Sequence, residues 1–202
     1  MKKVLIIGAN GQIAKKVVAN LVSNDDIEFV LTSRSGGEGV IKLDAADQAG
    51  IEAQLDGVDI VYTNFNAEEK TPDGAKAIIA AMKNKGVERL VWIATVGMYD
   101  ELTPEYRETW NKMLGPVEDP STYFGAFRVA VDLIEASDLD YTIIRPTELS
   151  DADVMQNLTI QEDKETLKNG GSITRTSVAN FVENILLDPS KYSKTSVAIS
   201  GN

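Results

Sequence analysis

Gly8-Ala9-Asn10-Gly11-Gln12-Ile13-Ala14 stands directly after the apolar run Val4-Leu5-Ile6-Ile7 and opens a segment with helical apolar spacing. G-x-x-G-x-x-A at a strand-to-helix junction suits a chemistry done by backbone rather than side chains. Gly8 permits the tight turn, Gly11 lets the main chain approach a pyrophosphate, and Ala14 keeps the helix close to the strand. The phosphates then rest on the free N–H groups and positive dipole end of the helix, beside Asn10, Gln12 and Ile13. The bland alternative is a glycine turn that binds nothing. The strand before and the helix after favour the dinucleotide reading.

Further cofactor contacts are expected where later strands end. The second strand runs into Leu31-Thr32-Ser33-Arg34-Ser35. An NAD site usually carries an acid here for the ribose 2′-OH. This chain has none, and Arg34 stands where a 2′-phosphate would be, with Ser33 and Ser35 as donors. The expected cofactor is therefore NADP, with NAD the alternative; the competing reading makes Arg34 a solvated loop residue. Asp44, after the third strand, either contacts the adenine or caps the next helix. Asn64, in Asn64-Phe65-Asn66 after the fourth strand, lines the adenosine ribose.

The elements that must position these residues alternate short β-branched runs with helical patterns, the mark of a parallel sheet with crossover helices. Strands are expected at Val4–Ile7, Glu28–Thr32, Val40–Leu43, Val58–Thr63, Leu90–Ala94, Tyr141–Ile144 and Thr195–Ile199. Thr71-Pro72 reads as a hydroxyl cap with proline at the first helical position, and Gly86 as that helix's end. Thr103-Pro104 starts a short helix, residues 121–137 form a long one, and Thr176–Leu187 the last. Residues 150–172 read as polar and irregular. The expected architecture is α/β, a doubly wound parallel sheet in one domain over 1–202, with a small substrate lobe at 146–172.

Composition narrows the chemistry. The chain has 202 residues and neither Cys nor His. That removes thiolate nucleophiles, cysteine zinc sites, the Ser-His-Asp triad and imidazole metal sites, so no metal centre is expected. It also fits a reducing cytoplasm. Net charge is −11, from 31 acidic and 20 basic residues, which argues against nucleic acid as a partner. No apolar run is long enough to span a membrane.

The glycine loop, Arg34, Leu139-Asp140-Tyr141-Thr142-Ile143-Ile144-Arg145-Pro146 and Ile173-Thr174-Arg175-Thr176-Ser177-Val178-Ala179 together resemble the atypical short-chain dehydrogenase/reductase superfamily, and most closely its NAD(P)-binding, NmrA-like branch. The resemblance covers essentially the whole chain. It implies a Rossmann fold with a small C-terminal substrate lobe. Active members carry a Tyr, a Lys one helical turn later, and a Ser or Thr after the fifth strand. Hydride transfer to a carbonyl leaves an alkoxide that needs a proton. The tyrosine gives it, the lysine lowers the tyrosine's pKa, and the hydroxyl orients the substrate. Thr95 matches the hydroxyl and Tyr123 the tyrosine, but the lysine position is Phe127, with Arg128 beside it. Phe127 is in phase with Ala130, Val131 and Ile134 and reads as core, while Arg128 lies roughly 100° round the helix. Lys112, the one lysine between Lys85 and Lys164, is the other candidate for the role. Tyr123 is thus either catalyst or pocket wall, and Tyr99 a second phenol, either acid or lid.

Other polar residues carry two readings each. Arg145 and Arg175 hold either an anion or an internal acid; Tyr106 and Trp110 read as packing; Asp151, Asp153, Glu162 and Asp163 read as a solvated face. The expected function is NADPH-dependent reduction of a small carbonyl, quinone or flavin-like acceptor, bound between Thr95/Tyr99 and residues 146–160. The alternative is a non-catalytic NADP(H) redox sensor acting on a protein partner. A lyase or epimerase is weaker, because the Tyr/Lys pair is incomplete. A homodimer through the 121–137 helix follows from family analogy alone.

Overall fold

Continuous apolar runs become strands covered on both faces. In β1 (Lys2–Ile7) the side chains of Val4, Leu5, Ile6 and Ile7 are all buried. The computed structural model describes residues 1–65, 70–99 and 101–202; the expected loop residue Asn66 lies outside them. β1 is followed by α1 (Gln12–Leu21), β2 (Ile27–Ser33), β3 (Ile41–Lys42), α2 (Gln48–Glu52), β4 (Ile60–Thr63), α3 (Thr71–Lys85) and β5 (Arg89–Ile93). Then come α4 (Pro104–Leu114), α5 (Tyr123–Glu135), β6 (Asp140–Pro146), β7 (Leu149–Ser150), β8 (Leu158–Gln161), β9 (Ile173–Thr174), α6 (Arg175–Leu187) and β10 (Thr195–Gly201).

The main sheet has the order β3-β2-β1-β4-β5-β6-β10-β8. Its pairs are parallel except β8, which runs antiparallel to β10 at the edge. From β1 the chain steps outward to β2 and β3, then returns and steps the other way through β4, β5 and β6. That reversal makes a Rossmann sheet and opens a crevice at the carboxyl ends of β1 and β4.

Alternation along the strands feeds a core on each face. Leu5 and Ile7 pack with Ile51 of α2, Ile78 and Met82 of α3, and Phe127, Val131 and Ile134 of α5. Val4 and Ile6 point the other way, toward Ile13 and Val17 of α1 and Val178, Val182 and Ile185 of α6. Each such side chain taken from water contributes roughly 1.5–3 kcal/mol.

Three local expectations change. Thr71 is the first residue of α3, not its cap. Lys70 occupies the cap position without a side-chain bond, and the Thr71 hydroxyl is buried with no hydrogen-bond partner among the described residues. The long helix is shorter than 121–137, because the Thr122 hydroxyl accepts from the Gly125 N–H at 3.1 Å and sets its start. The 150–172 stretch is not irregular throughout. It supplies β8 to the main sheet, and β9 just beyond pairs in parallel with β7 as a small second sheet. A polar sequence hides β8 because it is an edge strand whose Leu158, Thr159 and Ile160 stay partly or fully exposed. Among the described residues no helix is long and apolar enough to cross a membrane.

Candidate functional site

The turn after β1 is held by main chain. Gly8 has φ +93°, a left-handed conformation that disfavours any side chain. The N–H groups of Gly8 and Ala9 both donate to the Thr32 carbonyl at 2.9 Å, fixing the loop to β2. A Cβ on Gly8 would collide with the Asn64 carbonyl, and one on Gly11 with the Asn64 side-chain amide. Asn64 is itself anchored, its N–H donating to the Ile7 carbonyl at 2.9 Å. The structure therefore places Asn64 against the glycine loop, where ribose contact alone had been expected. Gly11 caps α1 with no side-chain bond, and the first turn of α1 carries no acid. The first N–H groups of a helix have no intrahelical partner, so this end offers donors and a positive dipole to an anion. Gln12 is exposed there, whereas Ile13 turns its side chain into the core. What either can offer a phosphate is its backbone N–H.

A cavity of about 300 Å³ opens over this turn, lined by Gly8, Asn10, Gly11, Ser33, Arg34, Asp44 and Asn64. Ser35, Phe65 and Lys70 complete the wall. Asn10 ties the glycine loop to the β2 loop, donating to the Ser33 and Ser35 hydroxyls at 2.8 Å each and to the Gly36 carbonyl at 2.9 Å. Ser33 is buried and also accepts from the Gly36 N–H at 3.1 Å. Arg34 is exposed and has no hydrogen-bond or ion-pair partner among the described residues. Asp44 does not cap α2. Its carboxylate accepts from the Ala46 N–H at 2.9 Å, and the cap is Asp47, which accepts from Gly50 at 3.0 Å. Lys70 was missed in the sequence. Its one signal was a basic residue immediately before a Thr-Pro helix start. Phe65 meets Trp92 edge-on at 5.3 Å, which fixes the aromatic part of the wall.

The residues expected to act on an acceptor are more dispersed. Thr95 is half-buried, two residues beyond the end of β5. Tyr99 is buried and its hydroxyl donates to Glu135 at 2.7 Å. Its ring is surrounded by Arg128 at 5.1 Å, Arg145 at 4.9 Å and Lys164 at 4.3 Å. Burial holds its phenol well above the usual range; Glu135 adds to this, and Ser196 and Arg145 oppose it. Tyr123 packs against Phe124 and Phe127, and burial raises its phenol too. Phe127 is core, only 3% exposed. Arg128 turns to Asp132 at 2.9 Å and the Met98 carbonyl at 3.1 Å, and Lys112 pairs with Glu108 on its own helix at 2.8 Å. No cation thus replaces the missing lysine from these positions.

Arg145 and Arg175 both take internal acids. Arg145 is fully buried in an ion pair with Glu101, with further bonds from its guanidinium to Ser196 and the Asp163 carbonyl. Glu101 also accepts from the N–H groups of Gly97 and Tyr99, so the pair fixes the loop after β5. Arg175 pairs with Asp151 at 2.7 Å. Asp153 takes Lys16 and Thr176, and Asp163 takes Gln161 and Lys168. Among the described residues no group of three or more acids is placed to hold a metal.

A second cavity, of about 190 Å³, opens beside the ends of β5 and β6, between Val96, Glu101 and Leu102 on one side and Thr147, Glu148 and Leu167 on the other. Tyr106 and Trp110 of α4 line it, together with Thr103, Thr166 and Gly170. Trp110 stacks on Phe124 with centroids 5.9 Å apart and planes 8° from parallel, so the packing reading holds for part of its surface. Tyr106 is 61% exposed and belongs to the cleft rather than the core.

The sequence model of the NAD(P)H-binding family matches residues 8–189. A curated relative, the uncharacterised sugar epimerase YhfK of Bacillus subtilis, is 30% identical over 199 residues, spanning 89% of this chain and 86% of its own. A Rossmann-fold NAD(P)-binding family protein from Shigella flexneri is 31% identical, with TM-score 0.81 over all of this chain and 94% of that one. A short-chain dehydrogenase/reductase from Veillonella parvula, solved in complex with NADP, shares the fold at TM-score 0.83 and 21% identity over 98% of this chain and 94% of its own. With its glycine turn, open helix end and Rossmann sheet, the chain belongs to the NAD(P)H-binding family, as its resemblance to short-chain dehydrogenases/reductases implied.

Proposed function

We propose that the protein is an NADPH-dependent reductase of a small carbonyl, quinone or flavin-like acceptor. The observation that carries the cofactor preference is Arg34, an exposed and unpaired cation on the nucleotide cavity at the end of β2. An arginine there favours a 2′-phosphate through charge-assisted, bidentate hydrogen bonds. The NADP found with the Veillonella protein, a neighbour in fold, agrees with this reading.

When bound, the nicotinamide supplies hydride. The residues here cradle the pyrophosphate on Gly8, Gly11 and the start of α1, while Arg34 and Ser35 face the 2′ side. The acceptor lies in the second cleft, next to Val96 and Thr147. Thr95 does not line this cleft but immediately precedes Val96 of its wall in the chain, and in this reading its hydroxyl orients the acceptor oxygen. Tyr123 keeps its proton at neutral pH, because burial raises its pKa and Phe127 stands where a lysine would lower it. Water therefore supplies the proton, which suits acceptors whose reduced form is a weak base. The test is NADPH oxidation with a carbonyl and quinone panel. Turnover that survives Tyr123→Phe supports solvent protonation.

A second reading has its own observation. A buried Phe127 at the lysine position also fits a protein that binds NADP(H) and reports its redox state to a partner. Tight nucleotide binding without turnover of any acceptor would favour it.

A further inference from the structure

We propose that the cleft beside β5 and β6 receives an uncharged planar aromatic acceptor, a quinone, and rejects anionic acceptors. This deepens the reductase reading and rests on it. The cleft's composition carries the inference. Tyr106 and Trp110 give it two aromatic surfaces, and Val96, Leu102 and Leu167 supply apolar walls. Such surfaces stack on a flat π-system. The Trp110 indole is already braced by Phe124, so that wall is pre-set.

Its charge decides the rest. No Lys or Arg lines the cleft among the described residues, while two glutamates do. Glu101 is committed to Arg145 and to two backbone N–H groups. Glu148 is exposed and has no ion-pair partner among the described residues. A carboxylate, sulfonate or phosphate on the ligand would meet like charge and no compensating cation, which binding sites use to exclude wrong partners. A nucleotide sugar would need its diphosphate neutralised, and nothing lining this cleft does so. Neutral oxygens are served instead: the hydroxyls of Thr103, Tyr106 and Thr166 have no hydrogen-bond partner among the described residues and can donate to quinone carbonyls. The Thr147 hydroxyl already donates to the Gly171 carbonyl at 2.6 Å.

The reaction balances without an additional redox partner. The quinone gains two electrons and one proton as hydride from the reduced nicotinamide. A second proton from water gives the hydroquinone, and oxidised nicotinamide is the other product.

The experiment is calorimetric titration of the whole protein with 2-methyl-1,4-naphthoquinone and with 1,4-naphthoquinone-2-sulfonate, in saturating NADP+ so that nothing turns over. NADP+ binding is measured first, and its absence would mark failure of the cofactor reading rather than of the cleft assignment. The neutral quinone is expected to bind about tenfold or more tightly than the sulfonate. Tyr106→Ser, on an exposed residue, should weaken the neutral ligand about fivefold. Glu148→Lys should strengthen the sulfonate and narrow the gap. Equal or tighter binding of the sulfonate overturns the proposal, as does indifference of both ligands to both variants. A neutral quinone that binds with this selectivity but elicits no NADPH oxidation upholds the cleft assignment and overturns the reductase reading.

Discussion

At the ends of β1, β2 and β4 the cavity is shaped around the main chain of one glycine turn, whereas at the ends of β5 and β6 it is formed by side chains gathered from distant segments. The cavity proposed for the nucleotide is made by a left-handed Gly8, two N–H groups on the Thr32 carbonyl, and Asn64 packed where Gly8 and Gly11 lack a Cβ. Among the described residues, Arg34 and Lys70 are exposed cations on its wall with no ion-pair partner. The second cleft draws on α4, the loop after β5 and residues 147–170, held by the buried Glu101–Arg145 pair. A site built from backbone geometry accepts one ligand scaffold, and variation in it is costly. A site built from side chains on loops can change its ligand while the sheet stays the same.

Perturbations should separate the two regions. Arg145→Met has the largest expected effect. It leaves the Glu101 carboxylate buried without its cation, and breaking such a pair costs about 3–5 kcal/mol. Urea unfolding should show that loss, and the double variant with Glu101→Leu should recover part of it. Gly8→Val comes next. It places a β-branched residue at φ +93° against the Asn64 carbonyl. Strain of about 1–3 kcal/mol should appear as a lower melting temperature. Nucleotide affinity should fall more than about tenfold, while the neutral quinone still binds the second cleft. Tyr99→Phe removes the hydrogen bond to Glu135 and should cost about 1 kcal/mol in the same unfolding assay.

The smallest effect is in alkali. Burial raises the folded-state phenol pKa of Tyr99 and Tyr123 above the unfolded value of about 10. The stabilisation this implies is fully present below about pH 10 and is lost as pH rises through the raised folded values. Thermal melts should therefore fall above pH 10, and less steeply in Tyr123→Phe. Phenolate absorbance from both residues should appear together with unfolding, not before it.

The same contrast explains what the sequence revealed. A glycine turn between an apolar strand and an amphipathic helix is a local pattern, so Gly8, Gly11 and the sheet were legible. Phe127 was legible too, because its phase with Ala130 and Ile134 marks a core stripe. The Glu101–Arg145 pair was not, since it joins positions 44 apart in the chain through tertiary packing alone. Tyr106 and Trp110 looked like the packing face of a helix, but α4 has no buried residue and leans over a cleft. Lys70 and the packing role of Asn64 depend on how β4 lies beside β1, which no local spacing encodes.

In the proposed function Arg34 holds the 2′-phosphate at the edge of the cavity over the glycine turn. Calorimetric titration of the wild type and Arg34→Glu with NADPH and NADH tests it most directly. The wild type should prefer NADPH. The variant should lose about tenfold or more in NADPH affinity, about 1.4 kcal/mol, and bind NADH at least as well as before. An NADPH-to-NADH ratio unchanged by the substitution would contradict the account.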